Sequence, residues 1–266
     1  MRVKCLADEF TGGFDLQMES MNDRFIRQVS IDWSRISHNS YLRGIEAIQF
    51  EGPLCFDSNI TFFAGENGSG KSTLLEAIAV AYGFNPEGGT KNYNFSTYNS
   101  HSELHEAVKL VKGFRKPKNG FFLRAESFYN VASKAEEYRD GDSPEVFYAN
   151  YGGKSFHEQS HGESFLALVQ GSFAREGIYL LDEPEAALSV QRQLTLLVEI
   201  DRLAALGAQF IIASHSPILL GVPNAKILSF DGGCIHECEY EDTDSYQVTE
   251  MFINNRDYFL KQLLER

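Results

Sequence analysis

Apolar residues along this chain follow two patterns, one typical of buried strands and one typical of helices. Short continuous apolar runs predict strands at residues 60–64, 121–128, 178–182, 208–213 and 225–230. Apolar residues spaced three or four apart predict helices at residues 71–82, 129–139, 160–176, 185–206 and 246–264. Strands separated by helices in this way predict an α/β domain.

The first third of the chain has a less regular pattern. Residues 1–36 lack a clear periodicity, so we interpret them as an N-terminal extension of a single domain that covers residues 37–266. Residues 41–50 are predicted to form a first strand, which Gly52-Pro53 breaks before the strand at 60–64. These two strands would form a small antiparallel portion near the N-terminus. Later in the chain, the helix that ends near residue 206 carries Val190, Leu194, Leu197 and Val198 on one face.

A glycine-rich segment lies between the strand at 60–64 and the helix at 71–82. It reads Gly-Glu-Asn-Gly-Ser-Gly-Lys-Ser-Thr and fits the pattern G-x-x-x-x-G-K-[ST] of a phosphate-binding loop. Glycines let successive backbone N–H groups point inward, and the helix N-terminus adds its positive dipole end. Lys71 would reach the β- and γ-phosphates of a nucleoside triphosphate, and the Ser72 hydroxyl would bind Mg²⁺. The predicted nucleotide contacts are Gly65, Glu66, Asn67, Gly68, Ser69, Gly70, Lys71, Ser72 and Thr73.

Candidate catalytic residues follow two of the later strands. Asp182 and Glu183 end the strand at 178–182, and adjacent residues leave an extended backbone in different directions. One acid can therefore hold the metal while the other faces the attacking water. His215, just past the strand at 208–213, could donate a hydrogen bond to the γ-phosphate. In open α/β sheets, ligands bind at this end of the strands.

Charge and composition narrow the possible functions. The chain has 266 residues, 43% of them hydrophobic, which is enough for one large domain with a core. Its net charge of −13 argues against a uniformly basic surface for nucleic acid. Its apolar runs are far shorter than the ~18 residues that span a bilayer, and its first 30 residues do not resemble a signal peptide. We therefore expect a cytoplasmic protein without membrane insertion.

Three short clusters have two interpretations each. The basic run of Lys109, Lys112, Arg115, Lys116 and Lys118 is either a solvated helix end and turn or a contact for nucleic acid or an acidic partner. Cys234, His236 and Cys238 alternate, so they could bind zinc from one face of a strand or be ordinary reduced residues. His101 and His105 lie one helical turn apart and are either metal ligands or part of a solvated face. With only four cysteines, a disulfide framework is not expected.

Four motifs in order resemble those of ABC-type ATPases. They are residues 65–73, Ser160-His-Gly-Glu163, Asp182-Glu-Pro-Glu-Ala-Ala-Leu-Ser189 and Ser214-His-Ser-Pro217. They look like the Walker A loop, the signature motif, Walker B with its D-loop, and the switch histidine. The wording of the last two is closer to the non-transporter branch, the RecF/SMC-like and "AAA-family" predicted ATPases. The resemblance implies a P-loop fold of ABC-ATPase type: a mixed sheet with flanking helices and a helical, signature-bearing region at about 84–175.

The resemblance also implies roles for these residues. Two cassettes would face head to tail around ATP, so that Ser160, Gly162 and Glu163 of one contact the nucleotide held by the other. Lys71 would bind phosphate, Asp182 would hold Mg²⁺, Glu183 would polarise the water and His215 would sense the γ-phosphate. Two departures stand out. The signature reads Ser-His-Gly-Glu, whereas Ser-Gly-Gly-Gln is usual in the family. No glutamine follows the strand at 121–128, where the family has one, and Glu126 is either its substitute as a metal ligand or a surface residue.

The main hypothesis is a soluble ATPase whose ATP-driven homodimerisation acts as a switch on DNA or on a partner protein. One alternative is the ATP-binding subunit of a membrane transporter. Another is a nucleotide-dependent interaction module with negligible turnover.

Overall fold

The computed structural model describes residues 24–90, 102–124, 128 and 160–264. Its strands, in chain order, are β1 (Ile26–Ile31), β2 (Leu54–Cys55), β3 (Ile60–Ala64), β4 (Val108–Lys112), β5 (Asn119–Arg124), β6 (Gly177–Asp182), β7 (Gln209–Ala213), β8 (Lys226–Ser229) and β9 (His236–Cys238). Its α-helices are α1 (Lys71–Tyr82), α2 (Leu104–Ala107), α3 (His161–Ser172), α4 (Val190–Ala205), α5 (Pro217–Leu220), α6 (Asp244–Asn254) and α7 (Arg256–Leu263).

The larger sheet has six strands in the order β5-β6-β7-β3-β8-β9. Neighbouring strands from β5 to β8 run parallel, and β9 pairs antiparallel with β8. Every residue of β3, β6 and β7 is buried, because both faces of the sheet are covered. Such strands read as continuous apolar runs, which explains why the sequence predicted them.

Alternate residues of these strands belong to two different cores. On β6, Tyr179 and Leu181 enter a cluster that includes α3 and α4, whereas Ile178 and Leu180 enter a cluster built around α1. This period of two is the strand geometry expected for a sheet between two helical layers. The mixed α/β fold class predicted from the sequence is confirmed.

A smaller, antiparallel sheet has the order β2-β1-β4. It is joined to the larger one through Gln209, the first residue of β7, whose side chain is 1% exposed. The Gln209 Oε1 atom accepts hydrogen bonds from the N–H groups of Phe25 and Ile26, both at 2.9 Å. Its Nε2 atom donates to the carbonyl oxygen of Ile26 at 2.8 Å. One buried amide therefore satisfies three backbone groups of the small sheet.

A small antiparallel sheet exists near the N-terminus, but neither member of the predicted pair belongs to it, because residues 60–64 form β3 of the larger sheet and residues 41–50 form no strand. That prediction was wrong: the segment forms two 3-10 helices, Tyr41–Gly44 and Glu46–Ile48. The Ser40 hydroxyl caps the first helix, and the Arg43 guanidinium donates to the carbonyl oxygens of Trp33, Ile36 and Ser37. These local bonds favour compact turns over an extended strand. The central strand is β1, which lies within the predicted N-terminal extension.

Two further predictions need correction. Of the four residues predicted on one face of α4, Val190, Leu194 and Val198 are exposed and Leu197 is partly buried. The residues of α4 that are buried against the sheet are Leu196, Ile200 and Leu203. The basic run lies on β4 and the loop after it, not at a helix end. The helix predicted at 129–139 lies outside the described residues. The helix predicted at 71–82 is confirmed, and Gly83 ends it in a left-handed conformation with φ 108°.

Candidate functional site

Three strand ends bring the predicted motifs to one edge of the large sheet. β7 lies between β3 and β6, with Ala213 in register with both Phe63 and Asp182. The ladder continues past the strands, because Ser214 N donates to Phe63 O at 3.1 Å and Glu183 N to Ala213 O at 2.9 Å. The phosphate loop, the acids and His215 therefore leave neighbouring strands, each about 5 Å from the next.

Lys71, the first residue of α1, lies inside the phosphate loop with 3% of its surface exposed. Its ammonium group donates to the carbonyl oxygens of Gly65 at 2.7 Å and Glu66 at 2.6 Å. Burial lowers the pKa of Lys71, and the nearby charges of Glu183, Asp231, Asp182 and Glu185 oppose that shift. The carboxylates at the end of β6 therefore favour the charged form of the lysine.

The loop has glycines where neighbouring segments leave no room for a side chain. A Cβ atom on Gly70, which has φ 102°, would lie 2.6 Å from Ile45 Cγ2. A Cβ atom on Gly65, which has φ 132°, would lie 2.9 Å from Asp231 Oδ1. The 3-10 segment and the turn after β8 therefore hold the loop from two sides, and only glycine allows both the conformation and the approach.

Asp231 supports this loop but was not predicted from the sequence. Its Oδ1 atom accepts a hydrogen bond from Glu66 N at 2.8 Å, and its Oδ2 atom accepts one from Ser229 Oγ at 3.2 Å. An Asp-Gly-Gly sequence is by itself typical only of a turn. Its contact with a loop 165 residues earlier is a tertiary feature with no local signal.

Glu183 adopts a left-handed backbone conformation, with φ 49° and ψ 51°. Non-glycine residues rarely do so, and such strained positions cluster at functional sites. Its Oε1 atom lies 3.3 Å from His215 Nε2, a ring nitrogen that makes no hydrogen bond with the described residues. The predicted pair of water-polarising acid and phosphate-sensing histidine therefore lies side by side.

Asp182 is 8% exposed and faces the basic end of β5. The Arg124 Nε atom lies 3.7 Å from Asp182 Oδ2, and its NH1 atom lies 2.7 Å from Glu76 Oε2 on α1. Arg124 thus links the metal-binding candidate to the helix that follows the phosphate loop. The sequence pattern did not single out Arg124.

Of the predicted metal ligands, Ser72 and Asp182 lie among the described residues. Ser72 offers a hydroxyl and Asp182 a carboxylate, which are groups that bind Mg²⁺ together with nucleotide oxygens. The described part of the chain contains no group of three or more His, Cys, Asp or Glu residues arranged to hold a metal ion. A divalent ion here would therefore depend on phosphate and water for its other ligands. Glu126, the third predicted metal ligand, lies outside the described residues.

The signature segment forms a capping box at the start of α3. Glu163 Oε2 accepts from Ser160 N at 3.0 Å and from Ser160 Oγ at 2.7 Å, and Glu163 Oε1 lies 3.1 Å from Arg192 NH2. A Cβ atom on Gly162 would lie 2.7 Å from Arg192 NH1 and 3.0 Å from Ala187 O. The unusual acid of this motif is therefore compensated by an arginine of α4, and the motif packs against α4 and the turn before it.

Two cavities flank the start of the phosphate loop. One, of about 320 Å³, lies between Gly65, Asp231, His215 and the segment of residues 242–245. The other, of about 310 Å³, lies between residues 44–47, 66–69 and 230–233. The loop therefore has open space on both sides.

The remaining clusters have ordinary structural explanations. Lys109 pairs with Asp32 at 2.8 Å, Lys112 lies 4.6 Å from the Tyr82 ring centroid, and Arg115 and Lys118 both pair with Glu176. Most of the basic run is thus neutralised or packed within the fold, which favours a solvated surface over a nucleic-acid contact.

The candidate metal-binding thiols and imidazoles follow the same trend. Cys234, His236 and Cys238 do not form a group arranged to hold a metal ion among the described residues, and His105 Nδ1 contacts Ser102 O at 2.8 Å. His101 lies outside the described residues. Among the described helices, none is long and apolar enough to cross a membrane.

Comparison with known proteins gives two family matches. A model described as an AAA domain matches residues 38–149, and one described as an AAA domain and candidate AbiEii toxin of a Type IV TA system matches residues 155–221. A 60-residue segment is 33% identical to structural maintenance of chromosomes protein 6 of Takifugu rubripes. This segment spans 23% of the present chain and 6% of that relative.

Solved structures give weaker likenesses. The SMC head domain from Thermotoga maritima has 14% identity and a TM-score of 0.45, over 81% of this chain and 99% of that one. The protein cbiO1 from Clostridium perfringens, part of the ABC transporter complex cbiONQ, has 15% identity and a TM-score of 0.48, over 91% and 100%. Two segments of the chain thus match AAA-domain models, and the order of the predicted motifs and their convergence on one sheet edge agree with a P-loop fold of the ABC-ATPase type.

Proposed function

We propose that this chain binds ATP with Mg²⁺ and hydrolyses it to ADP and phosphate. The observation that carries the proposal is the convergence of the phosphate loop, the acids and His215 at the ends of three neighbouring strands, with Lys71 buried in the loop. A triphosphate in the loop would replace the two carbonyl contacts of the lysine with phosphate contacts. The nucleoside end would extend into the cavity beside residues 44–47.

The side chains suit in-line attack by water on the γ-phosphorus. Glu183 would orient the water and accept its proton, while the bond between the γ-phosphorus and the bridging oxygen of ADP breaks. His215, beside Glu183, would donate a hydrogen bond to the γ-phosphate. When bound, Mg²⁺ supplies positive charge to the phosphate oxygens, with Asp182 and Ser72 as its protein ligands.

We also propose that ATP binding joins two copies head to tail, and that the dimer acts on DNA or on a partner protein. In this arrangement the capping box at Ser160–Glu163 of one copy would meet the nucleotide of the other. The exposure of Ser160 and Glu163 supports this proposal, because both side chains are accessible to a second copy. Ser160 and Glu163 would exchange their mutual hydrogen bond for contacts across the interface.

Phosphate release with Mg²⁺ and ATP tests the hydrolysis. Lys71→Ala should weaken ATP binding by about 100-fold, since a charge-assisted contact contributes up to about 3 kcal/mol. Glu183→Gln should bind ATP normally and release phosphate at least about 100-fold more slowly. Lys116→Ala and Glu106→Gln change exposed residues of the same types and serve as controls. A Glu183→Gln variant as active as wild type would exclude the proposed catalytic role.

The mass of the Glu183→Gln variant in solution tests the dimer. Light scattering after gel filtration should give twice the chain mass with MgATP and a single chain mass with MgADP. A monomer at saturating ATP would contradict the two-cassette proposal and leave the hydrolysis result standing.

A further inference from the structure

Glu185, two residues after the catalytic candidate Glu183, binds the histidine loop. It lies in the 3-10 helix Pro184–Ala187, between β6 and α4. Its Oε1 atom accepts three hydrogen bonds from consecutive residues: from Ser214 Oγ at 2.9 Å, from His215 N at 2.5 Å and from Ser216 N at 3.1 Å. One carboxylate oxygen thus gathers three donors from the loop that follows β7.

Two of the three donors belong to residues that solvent hardly reaches. Ser214 is fully buried and Ser216 is 6% exposed. A buried donor that loses its partner costs about 1–3 kcal/mol, and this applies most to the Ser214 hydroxyl, since Ser216 N also donates to Ser214 Oγ at 3.0 Å. A second anchor comes from α4, because Ser216 Oγ donates to Gln193 Oε1 at 2.6 Å.

The result is a fixed backbone at His215. Its N–H group is held by Glu185, and its ring lies 3.3 Å from Glu183 and lines the cavity beside Gly65 and Asp231. The acid that would orient the water and the acid that holds the histidine belong to the same short segment. Any shift of that segment would therefore move both groups together.

We infer that Glu185 is a positioning residue, which holds His215 at the γ-phosphate position and acts on catalysis through that histidine. This inference rests on the proposed ATPase function. It assigns to the second glutamate of the Asp-Glu-Pro-Glu sequence a role distinct from that of the first, which faces the water.

A double-mutant cycle with His215 separates this role from a general structural one. Glu185→Ala should lower kcat by up to about 100-fold, the loss expected for a catalytic group displaced by about 1 Å. KM for ATP should change by less than about threefold, because the loop glycines and Lys71 keep their contacts. Glu185→Gln retains an acceptor oxygen and should recover much of the rate.

The decisive comparison is the double variant. If Glu185 acts through His215, Glu185→Ala combined with His215→Ala should be no slower than His215→Ala alone, within about twofold. Losses that multiply would overturn the inference. If Glu185→Ala fails to fold, the same cycle is run with Glu185→Met, which keeps the size of the side chain but has no acceptor oxygen, and Glu106→Gln is the matched surface control for Glu185→Gln.

Amide exchange provides a readout that does not need activity. The amide hydrogens of His215 and Ser216 should exchange faster in Glu185→Ala than in wild type, while those of β3 remain protected. Unchanged exchange at both residues would also overturn the inference. If the wild-type protein has no ATPase activity but Glu185→Ala still speeds the exchange of these amides, the proposed function is wrong, and the contact between Glu185 and the histidine loop stands.

Discussion

The Tyr179 hydroxyl shows how one buried polar atom is accommodated in an apolar core. It accepts a hydrogen bond from Ala174 N at 2.6 Å and donates one to Ala174 O at 2.8 Å. Its ring stacks on Phe173, with 4.1 Å between the centroids. Burial raises the pKa of Tyr179 to about 12. The hydroxyl therefore stays neutral and paired within the core.

Replacing Tyr179 with Phe tests this arrangement through its dependence on pH. At neutral pH the variant should lose about 1–3 kcal/mol of unfolding free energy, because it lacks two hydrogen bonds that contribute about 0.5–1.5 kcal/mol each. The raised pKa gives wild type a contribution that is complete below pH 10, the ordinary tyrosine value, and disappears as the pH rises through about 12. Between pH 10 and 12, stability measured by urea unfolding should therefore fall less steeply in the variant. Parallel curves would contradict the assignment.

At this scale, sequence spacing identified some site residues and missed others. Lys71 and Ser72 could be predicted because the loop is contiguous, and Asp182 and Glu183 because they end an apolar run. Glu185 and Asp231 could not, since their partners lie 29 or more residues away in the chain. Arg124 lacked a local signal for the same reason. Sequence spacing detects residues that are close together in the chain. Residues that are distant in the chain and meet only in the folded structure give no such signal.

The start of helix α3 depends on a glycine for packing. An alanine is intrinsically better than glycine in a helix by about 1 kcal/mol. At position 162, however, its methyl group would meet the guanidinium of Arg192 and the carbonyl oxygen of Ala187. The carbonyl belongs to the backbone and has little freedom to move.

Gly162→Ala should therefore destabilise the protein by about 1–3 kcal/mol despite its helix propensity. Urea unfolding measures the loss. Gly44→Ala is the control, because a Cβ atom there has no neighbour within 4 Å. Equal stability of the two variants would show that α3 can move away from Arg192 at little cost.

Helices and strands could be predicted from the sequence where the pattern of apolar residues is compatible with only one kind of element. β3, β6 and β7 were found because strands buried on both faces are uniformly apolar. Helix α4 carries two apolar stripes, one at Val190, Leu194 and Val198 and one at Leu196, Ile200 and Leu203. Periodicity identifies the helix but not the stripe that meets the sheet, since that choice depends on how the turn after Glu183 orients the chain.

The two sheets of the molecule are connected by the Gln209 amide. Gln209→Leu would preserve the size of the side chain but leave the N–H groups of Phe25 and Ile26 and the Ile26 carbonyl without their partner. We expect a loss of about 3 kcal/mol or more, at 1–3 kcal/mol for each buried group left unpaired. Thermal unfolding measures it, with the exposed Gln191→Leu as control. A small effect would mean that water reaches the gap between the sheets.

The central position of β1 in the small sheet decides how the chain can be shortened. A fragment of residues 37–266 would lack the strand that joins β2 to β4, and the amide that now grips Phe25 and Ile26 would remain in a dry interior with nothing to bind. A fragment that begins at Arg24 keeps β1 and its hydrogen bonds to the Gln209 side chain. A proteolytic nick between residues 31 and 37 should therefore release the peptide only when the whole fold opens.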